Sequence, residues 1–335
     1  MKAAVFYGKG ELKIEDVGKP ERKQGEVLVK VSACGICRTD LHYLHGTPTF
    51  KKPPIILGHE ISGIVEEGDE EFKVGDRVLI PPVFACGKCF FCRTGRGTIC
   101  TKQKMVGNHI DGGFAEYISV PSSDIFHLPN EIPIEEGCII SDAISTPYHA
   151  VVNRARIKPG EKVAVFGCGG LGLAVIQLCA LSGANVIGID IKEEKLKLAK
   201  KFGATEVINA SDDIAKTIRK MSGGGVDAAI EAIGNPKTIQ QAYESVRWGG
   251  RVIVVGFTEK DITINAGRMM FREIEIKGSL GCGLRDYPKV IDMAKSGKLK
   301  VKEMVTHKFR LEEINKGFEL LEKGEESLIR GIVIP

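Results

Sequence analysis

Val163-Ala164-Val165-Phe166-Gly167-Cys168-Gly169-Gly170-Leu171-Gly172 is the stretch on which the fold turns. Its first four residues read as a buried strand. The glycines at 167, 169, 170 and 172 read as a tight turn that opens a helix through Leu181. A second apolar strand, Val186–Ile189, follows and ends on Asp190. In that context the glycines let backbone N–H groups approach a pyrophosphate at the positive end of a helix. Asp190 is placed to accept hydrogen bonds from ribose hydroxyls, and its charge repels a 2′-phosphate. NAD is therefore expected over NADP. A glycine turn needed only for packing would not call for the acid at the next strand end.

Outward from this stretch the same grammar repeats. Strands are expected at Glu206–Ile208, Ala228–Ile230, Val252–Val255 and Ile274–Leu280, with helices between several of them, Pro236–Arg247 included. Alternating strands and helices argue for a doubly wound parallel sheet from about residue 149. The tail from about residue 283 carries helices at Tyr287–Lys295 and Leu311–Leu321 and strands at Val301–His307 and Ile329–Ile334. It is too small to fold alone and is expected to complete the N-terminal part.

The chain from 1 to 65 is different. Ala3–Tyr7, Glu26–Ser32 and Ile61–Glu66 are short β-rich runs punctuated by glycines, and Val78–Ile80 follows a turn, the idiom of a small irregular β-barrel. Within them Cys34-Gly35-Ile36-Cys37-Arg38-Thr39-Asp40-Leu41-His42 and Gly58-His59-Glu60 gather thiol, imidazole and carboxylate groups. These are donors that zinc accepts, and a site with few protein ligands leaves room for substrate. Taken singly, each would read as a buried core residue. Further on, Cys86, Cys89, Cys92 and Cys100 have the spacing to wrap one tetrahedral ion in a single loop. A site filled by four thiolates has no open position, so its role is structural.

At 335 residues the chain calls for two domains. Its net charge of +4 is small and its Lys and Arg are dispersed, so nucleic acid is not an expected partner. Lysine runs such as Lys192–Lys201 read as a solvated helix face. The start, Met1–Tyr7, lacks the apolar core of a signal peptide, and no run reaches membrane-spanning length, so a cytoplasmic protein is expected. In a reducing compartment, ten cysteines argue for metal binding rather than disulfides.

The metal stretch, the four-cysteine loop and the glycine fingerprint, in this order and over essentially the whole chain, resemble the zinc-dependent medium-chain alcohol dehydrogenases of the medium-chain dehydrogenase/reductase superfamily. The resemblance implies a GroES-like irregular β-barrel catalytic domain at 1–148, completed by 283–335. It implies a Rossmann domain at 149–282 and an active site in the cleft between them. Cys37 and His59 match the first two ligands of a catalytic zinc. Asp142 stands where many members carry a cysteine as third ligand, and nearby Cys138 matches a non-ligand. Glu60 matches the acid beside the zinc, Asp40 a partner of the zinc histidine, and Thr39 with His42 a proton relay. Arg38 and Arg330 match pyrophosphate contacts, Lys195 a lysine near the adenosine ribose, and Thr146 a further cofactor contact.

Two zinc ions per chain, one catalytic and one structural, are thus implied together with NAD. The implied reaction is reversible hydride transfer between a primary or secondary alcohol and NAD, giving aldehyde or ketone plus NADH. A homo-dimer or homo-tetramer is implied, joined through the edge strand Ile274–Leu280. Gly46–Phe50, Phe84, Asn108-His109 and Leu280–Leu284 are expected to line the pocket. A polyol (sorbitol-type) dehydrogenase is the alternative substrate reading. A zinc-free reductase of the same superfamily would have no need of Cys37, His59 or the four-cysteine loop. A non-enzymatic NAD- or redox-sensing module would not require Thr39 and His42.

Overall fold

Valines at alternate positions make Glu26–Gly35 the spine of a seven-stranded sheet. Val27, Val29 and Val31 enter a core shared with Ile61, Val65, Val78, Phe114 and Ile118. The strand pairs antiparallel with Glu60–Glu67 and Tyr117–Pro121. At its far end Cys34 and Gly35 pair with Val333 and Ile332 of the C-terminal strand Arg330–Ile334. The computed structural model describes residues 1–210 and 213–335. They form two compact units, Met1–Ser145 with Cys282–Pro335, and Thr146–Gly281.

In the first unit the sheet continues through Arg77–Ile80 and Phe126–His127 on one side and Val305–Arg310 on the other. Lys2–Gly8 pairs with Glu11–Asp16 and Ile55–Ile56 in a smaller sheet, and Val83–Phe84 pairs with Lys104–Met105. The strand Val305–Arg310 lies parallel to Arg330–Ile334, so the C-terminal tail is woven into the N-terminal sheet.

The second unit holds a six-stranded sheet. Its order is Glu206–Asn209, Asn185–Asp190, Lys162–Phe166, Val226–Glu231, Val246–Val254 and Glu275–Gly278. Every pairing in it is parallel. The chain winds outward from Lys162–Phe166 first to one side and then to the other. This leaves a switch point beside that strand, the position where open parallel sheets bind ligands. The helix Gly170–Leu181 follows directly and buries eight of its residues. No helix among the described residues is long and apolar enough to cross a membrane.

Several expected elements differ in detail. Val301–His307 is not one strand: Val301–Met304 is a helical turn that buries Val301 and Met304 and exposes Lys302 and Glu303. The helical spacing of the apolar pair outweighs the β-propensity of valine. The helix expected to reach Arg247 ends at Ser245, because Val246 and Arg247 enter the next strand. The expected edge strand Ile274–Leu280 contracts to Glu275–Gly278. The boundary expected at 148/149 falls after Ser145, the first residue of the short helix Ser145–Tyr148.

A Cβ added at Gly172 would sit 1.7 Å from the carbonyl oxygen of Gly167, whereas at Gly169 it would meet nothing within 4 Å. Gly172→Ala is therefore expected to lower stability by about 2–3 kcal/mol, the upper range of overpacking. Calorimetry should show that loss, while Gly169→Ala should keep the parent Tm and instead weaken NADH binding in a fluorescence titration.

Candidate metal centres and dinucleotide site

The strand Glu26–Gly35 delivers the chain to Cys37, the N-cap of the helix Arg38–Leu44. Ile36 N–H donates to the Gly331 carbonyl at 2.9 Å, which ties this turn to the C-terminal strand. Asp40, in the helix's first turn, is fully buried, and its Oδ2 accepts from the Cys37 N–H at 3.1 Å. Its Oδ1 lies 3.4 Å from His59 Nδ1. The two are close enough for an ionic contact but out of hydrogen-bond alignment, and both atoms stay buried without a hydrogen-bond partner. Thr39 Oγ1 is 3.6 Å from Cys37 Sγ.

His59 precedes and Glu60 opens the strand Glu60–Glu67, and both are buried. Gly35 leaves the room that Glu60 needs, since a Cβ there would lie 2.1 Å from Glu60 Oε2. His59 Nε2 is 3.6 Å from Oδ2 of Asp142, which follows the 3-10 turn Cys138–Ile140. Ligand atoms of Cys37, His59, Glu60 and Asp142 all lie within 4.8 Å of one another. Cys138 is buried but stands outside this group, and burial pushes its thiol well up.

Acidic and basic groups are crowded together in this cluster. Burial raises the Glu60 carboxyl to about 7; Arg330 opposes that shift, while Asp142 and Asp40 add to it. Burial works against protonation of His59, yet Asp40, Asp142 and Cys37 outweigh it and hold the imidazole well above its usual range. One thiol, one imidazole, a half-buried carboxylate and a second carboxylate with an unpartnered buried Oε2 fit a zinc ion in donor type and mutual reach.

The four-cysteine loop fits a second ion more tightly. Sγ separations are 3.4 Å for Cys89–Cys92, 3.7 Å for Cys89–Cys100 and 4.0 Å for Cys86–Cys92. Zn–S bonds of about 2.3 Å give a tetrahedron with edges of about 3.8 Å. The N–H groups of Cys86 and Lys102 each donate to Cys100 Sγ at 3.4 Å. The N–H groups of Lys88 and Cys89 bring the Cys86 thiol down to about 6. Loss of hydration, with the Cys89 and Cys100 thiols beside it, pushes Cys92 up to about 12. Four ionised thiolates coexist here only with a cation between them.

In the second unit Gly167 turns with φ +94° and Gly169 caps the helix that begins at Gly170. Gly169 is exposed, and Leu171 is half-buried. Asp190 ends its strand, with Oδ2 accepting from Cys168 N–H at 2.8 Å and Oδ1 from Lys192 N–H at 3.0 Å. The carboxylate is thereby fixed at the C-terminal edge of the sheet, beside the glycine turn.

Other expected residues fall as follows. Thr39 and His42 are both half-buried, one turn apart on one helix, and Arg38 is exposed at its start. Lys195 is buried in the helix Glu193–Lys201, and Thr146 is buried as well. Arg330 is not the surface charge that spacing alone implies. It is 8% exposed, with Nη1 donating to Glu60 Oε1 at 3.2 Å and, more loosely, to the Ile36 carbonyl at 3.5 Å. Asn108 turns inward, its amide donating to Tyr43 Oη and its Oδ1 accepting from Phe50 N–H at 3.1 Å. It braces the 46–51 loop, while Phe50, stacked on His109, is exposed.

Two buried residues escape the sequence reading. Glu231 ends its strand fully buried and accepts from Ile233 N–H, Gly234 N–H and Thr238 Oγ1. An acid at a strand end shortly before Gly234 is its only signal. Tyr287 looks like an ordinary first helical residue.

Residues 23–130 match the alcohol dehydrogenase GroES-like domain, and residues 170–296 match the zinc-binding dehydrogenase domain. The chain is 42% identical to an alcohol dehydrogenase of Geobacillus stearothermophilus, over 97% of this chain and 96% of that one. It is 35% identical to a sorbitol dehydrogenase of Bacillus subtilis, over 100% of this chain and 97% of the relative. Among solved structures, the alcohol dehydrogenase of the hyperthermophilic archaeon Aeropyrum pernix superposes with a TM-score of 0.91 at 34% identity, over 100% of both chains.

Replacing Cys100 by Ser should leave one zinc equivalent by elemental analysis and lower the Tm. The two donor groups share no residue, so the other zinc should still bind.

Proposed function

Because the chain belongs to the zinc-dependent alcohol dehydrogenases of the medium-chain dehydrogenase/reductase family, we propose that Cys37, His59 and Asp142 hold its catalytic zinc and that Cys86, Cys89, Cys92 and Cys100 hold a structural one. The observation that carries this reading is the convergence of the first three, with Glu60, within 4.8 Å. When bound, zinc supplies Lewis-acid polarisation of the alcohol or carbonyl oxygen, and NAD accepts or returns the hydride. The protein's own groups do the rest. Thr39 Oγ1, beside Cys37 Sγ, accepts the alcohol's hydroxyl proton as it gives up its own, and His42, one turn further on the same helix, passes a proton on to water. Asp40 faces the Nδ1 side of His59 at 3.4 Å as an ionic neighbour of the ring. Glu60, paired through Oε1 with Arg330 and with Oε2 free of a hydrogen-bond partner, stands as an acid beside the metal.

Substrates are primary or secondary alcohols and the matching carbonyls. The similarity to sorbitol dehydrogenase supports a polyol as the second reading. A screen over primary, secondary and polyhydric alcohols, with NADH formation followed by absorbance, decides between them. The ten unpaired cysteines support a reducing, cytoplasmic setting. At least a dimer is proposed, across the sheet-edge strand Glu275–Gly278; sedimentation as a monomer at micromolar concentration removes it.

Oxygen is a harder donor than sulfur, so the mixed site is expected to yield its zinc to a chelator before the four-thiolate loop does. Activity should fall in step with the first equivalent while the fold persists. Asp142→Asn should reproduce that loss, and Cys138→Ser should keep both zinc ions and most activity. The opposite pair of results would move the third ligand to Cys138.

Asp190 supports NAD over NADP. Asp190→Gly removes a charged acceptor worth about 1.5–3 kcal/mol, so the ratio of kcat/KM for NAD over NADP should fall by about tenfold or more. A parent enzyme that already prefers NADP would overturn the cofactor reading.

A further inference from the structure

The mixed metal cluster leaves one buried polar network unused. The Ser141 carbonyl belongs to the peptide that leads directly into Asp142, and it accepts from Tyr287 Oη at 2.6 Å and from Ser145 Oγ at 2.8 Å. Two hydroxyl donors on one carbonyl use both of its lone pairs. The two hydroxyl oxygens lie 3.2 Å apart, so the three groups form a closed triangle. Ser141 Oγ in turn donates to the Cys138 carbonyl at 2.8 Å, which pins the start of the same turn.

Tyr287 comes from 146 residues further along the chain. Its side chain is fully buried, and its ring stacks on Phe126 at 5.2 Å with 13° between the planes. Phe126 belongs to the strand that pairs with Arg77–Ile80. Burial, with Cys282 beside it, holds the phenol well above its usual range, so the hydroxyl stays a donor through neutral pH.

We infer that Tyr287, assisted by Ser145, is a positioning residue for Asp142: its hydroxyl clamps the Ser141 carbonyl and so fixes the backbone from which the metal-binding carboxylate projects. The inference rests on the reading of Asp142 as a zinc ligand. Asp142 follows a short irregular turn and is not on a long helix or strand, so nothing in regular secondary structure sets its direction. A donor anchored on the β-sheet core supplies that setting. Partners of this kind around metal ligands change metal retention without touching the ion.

Tyr287→Phe keeps the ring and its stacking on Phe126 and removes only the hydroxyl. The test is the rate at which a colorimetric chelator takes zinc from the two-zinc protein, with Tm and NADH binding measured alongside. Cobalt(II) exchanged into the sites tells them apart, because the four-thiolate site absorbs far more strongly in the thiolate charge-transfer region than a one-thiolate site. Expected is release from the mixed site faster by about tenfold or more, release from the four-cysteine loop unchanged, and Tm and NADH binding close to the parent. Ser145→Ala should accelerate the same single release. Unchanged release from the mixed site overturns the inference. So does acceleration of both sites together with a lowered Tm, which marks general destabilisation. A parent protein that holds no metal at Cys37, His59 and Asp142 defeats the reading of the site itself, and is recognised before any variant is made.

Discussion

Asp40, Glu60 and Asp142 are gathered with the Cys37 thiol around a single imidazole, and enclosing so many ionisable groups is the constraint on which the first unit is built. Each buried ion costs several kcal/mol unless it is paired. Arg330 provides one counter-charge, held 3.2 Å from Glu60. Glu60 Oε2 is left buried without a hydrogen-bond partner. A buried carboxylate oxygen left open beside Cys37, His59 and Asp142 fits a site that a cation would complete.

That constraint explains the interlacing of the chain ends. Cys37 follows a strand whose last residues pair with Ile332 and Val333, and Arg330 opens that same C-terminal strand. The counter-charge for Glu60 is therefore supplied only when the final residues have joined the sheet. Tyr287, from the segment that returns after the second unit, reaches the turn before Asp142 in the same way. The donor set is assembled by long-range packing, and its integrity reports on the closure of the entire unit.

What is legible in the sequence follows from the range over which each signal acts. The glycine turn and Asp190 can be read because strand, turn, helix and acid belong to one βαβ unit and their roles are local. The four-cysteine loop is legible for the same reason. Cys37 and His59 stand out as candidate ligands by residue type, but their convergence with Asp142 rests on resemblance, since no local rule brings 37, 59 and 142 together. Arg330 reads by spacing as a surface charge because its burial depends on Glu60, 270 residues away. The turn at Val301–Met304 reads as a strand when valine content is weighed before the spacing of its buried residues. Glu231 and Tyr287 give almost no signal. Each is defined by the backbone groups it satisfies, and those are visible only once the fold brings them close.

The two metal clusters solve the same electrostatic problem with different means. In the four-cysteine loop all the thiols lie between Cys86 and Cys100, and backbone N–H groups of the loop itself point at sulfur. The geometry is local, set by the loop's own turns. In the mixed cluster the donors come from a helix cap, a strand start and an irregular turn. A carboxylate has two oxygens and rotatable bonds behind them, so it needs external fixing before one oxygen can face the ion. The Ser141 carbonyl, in the peptide that carries Asp142, receives two hydroxyls. An open coordination position demands ligands that hold still without a fourth protein donor to complete the shell. A buried hydrogen-bonded clamp meets that demand at the donor carried by the irregular turn.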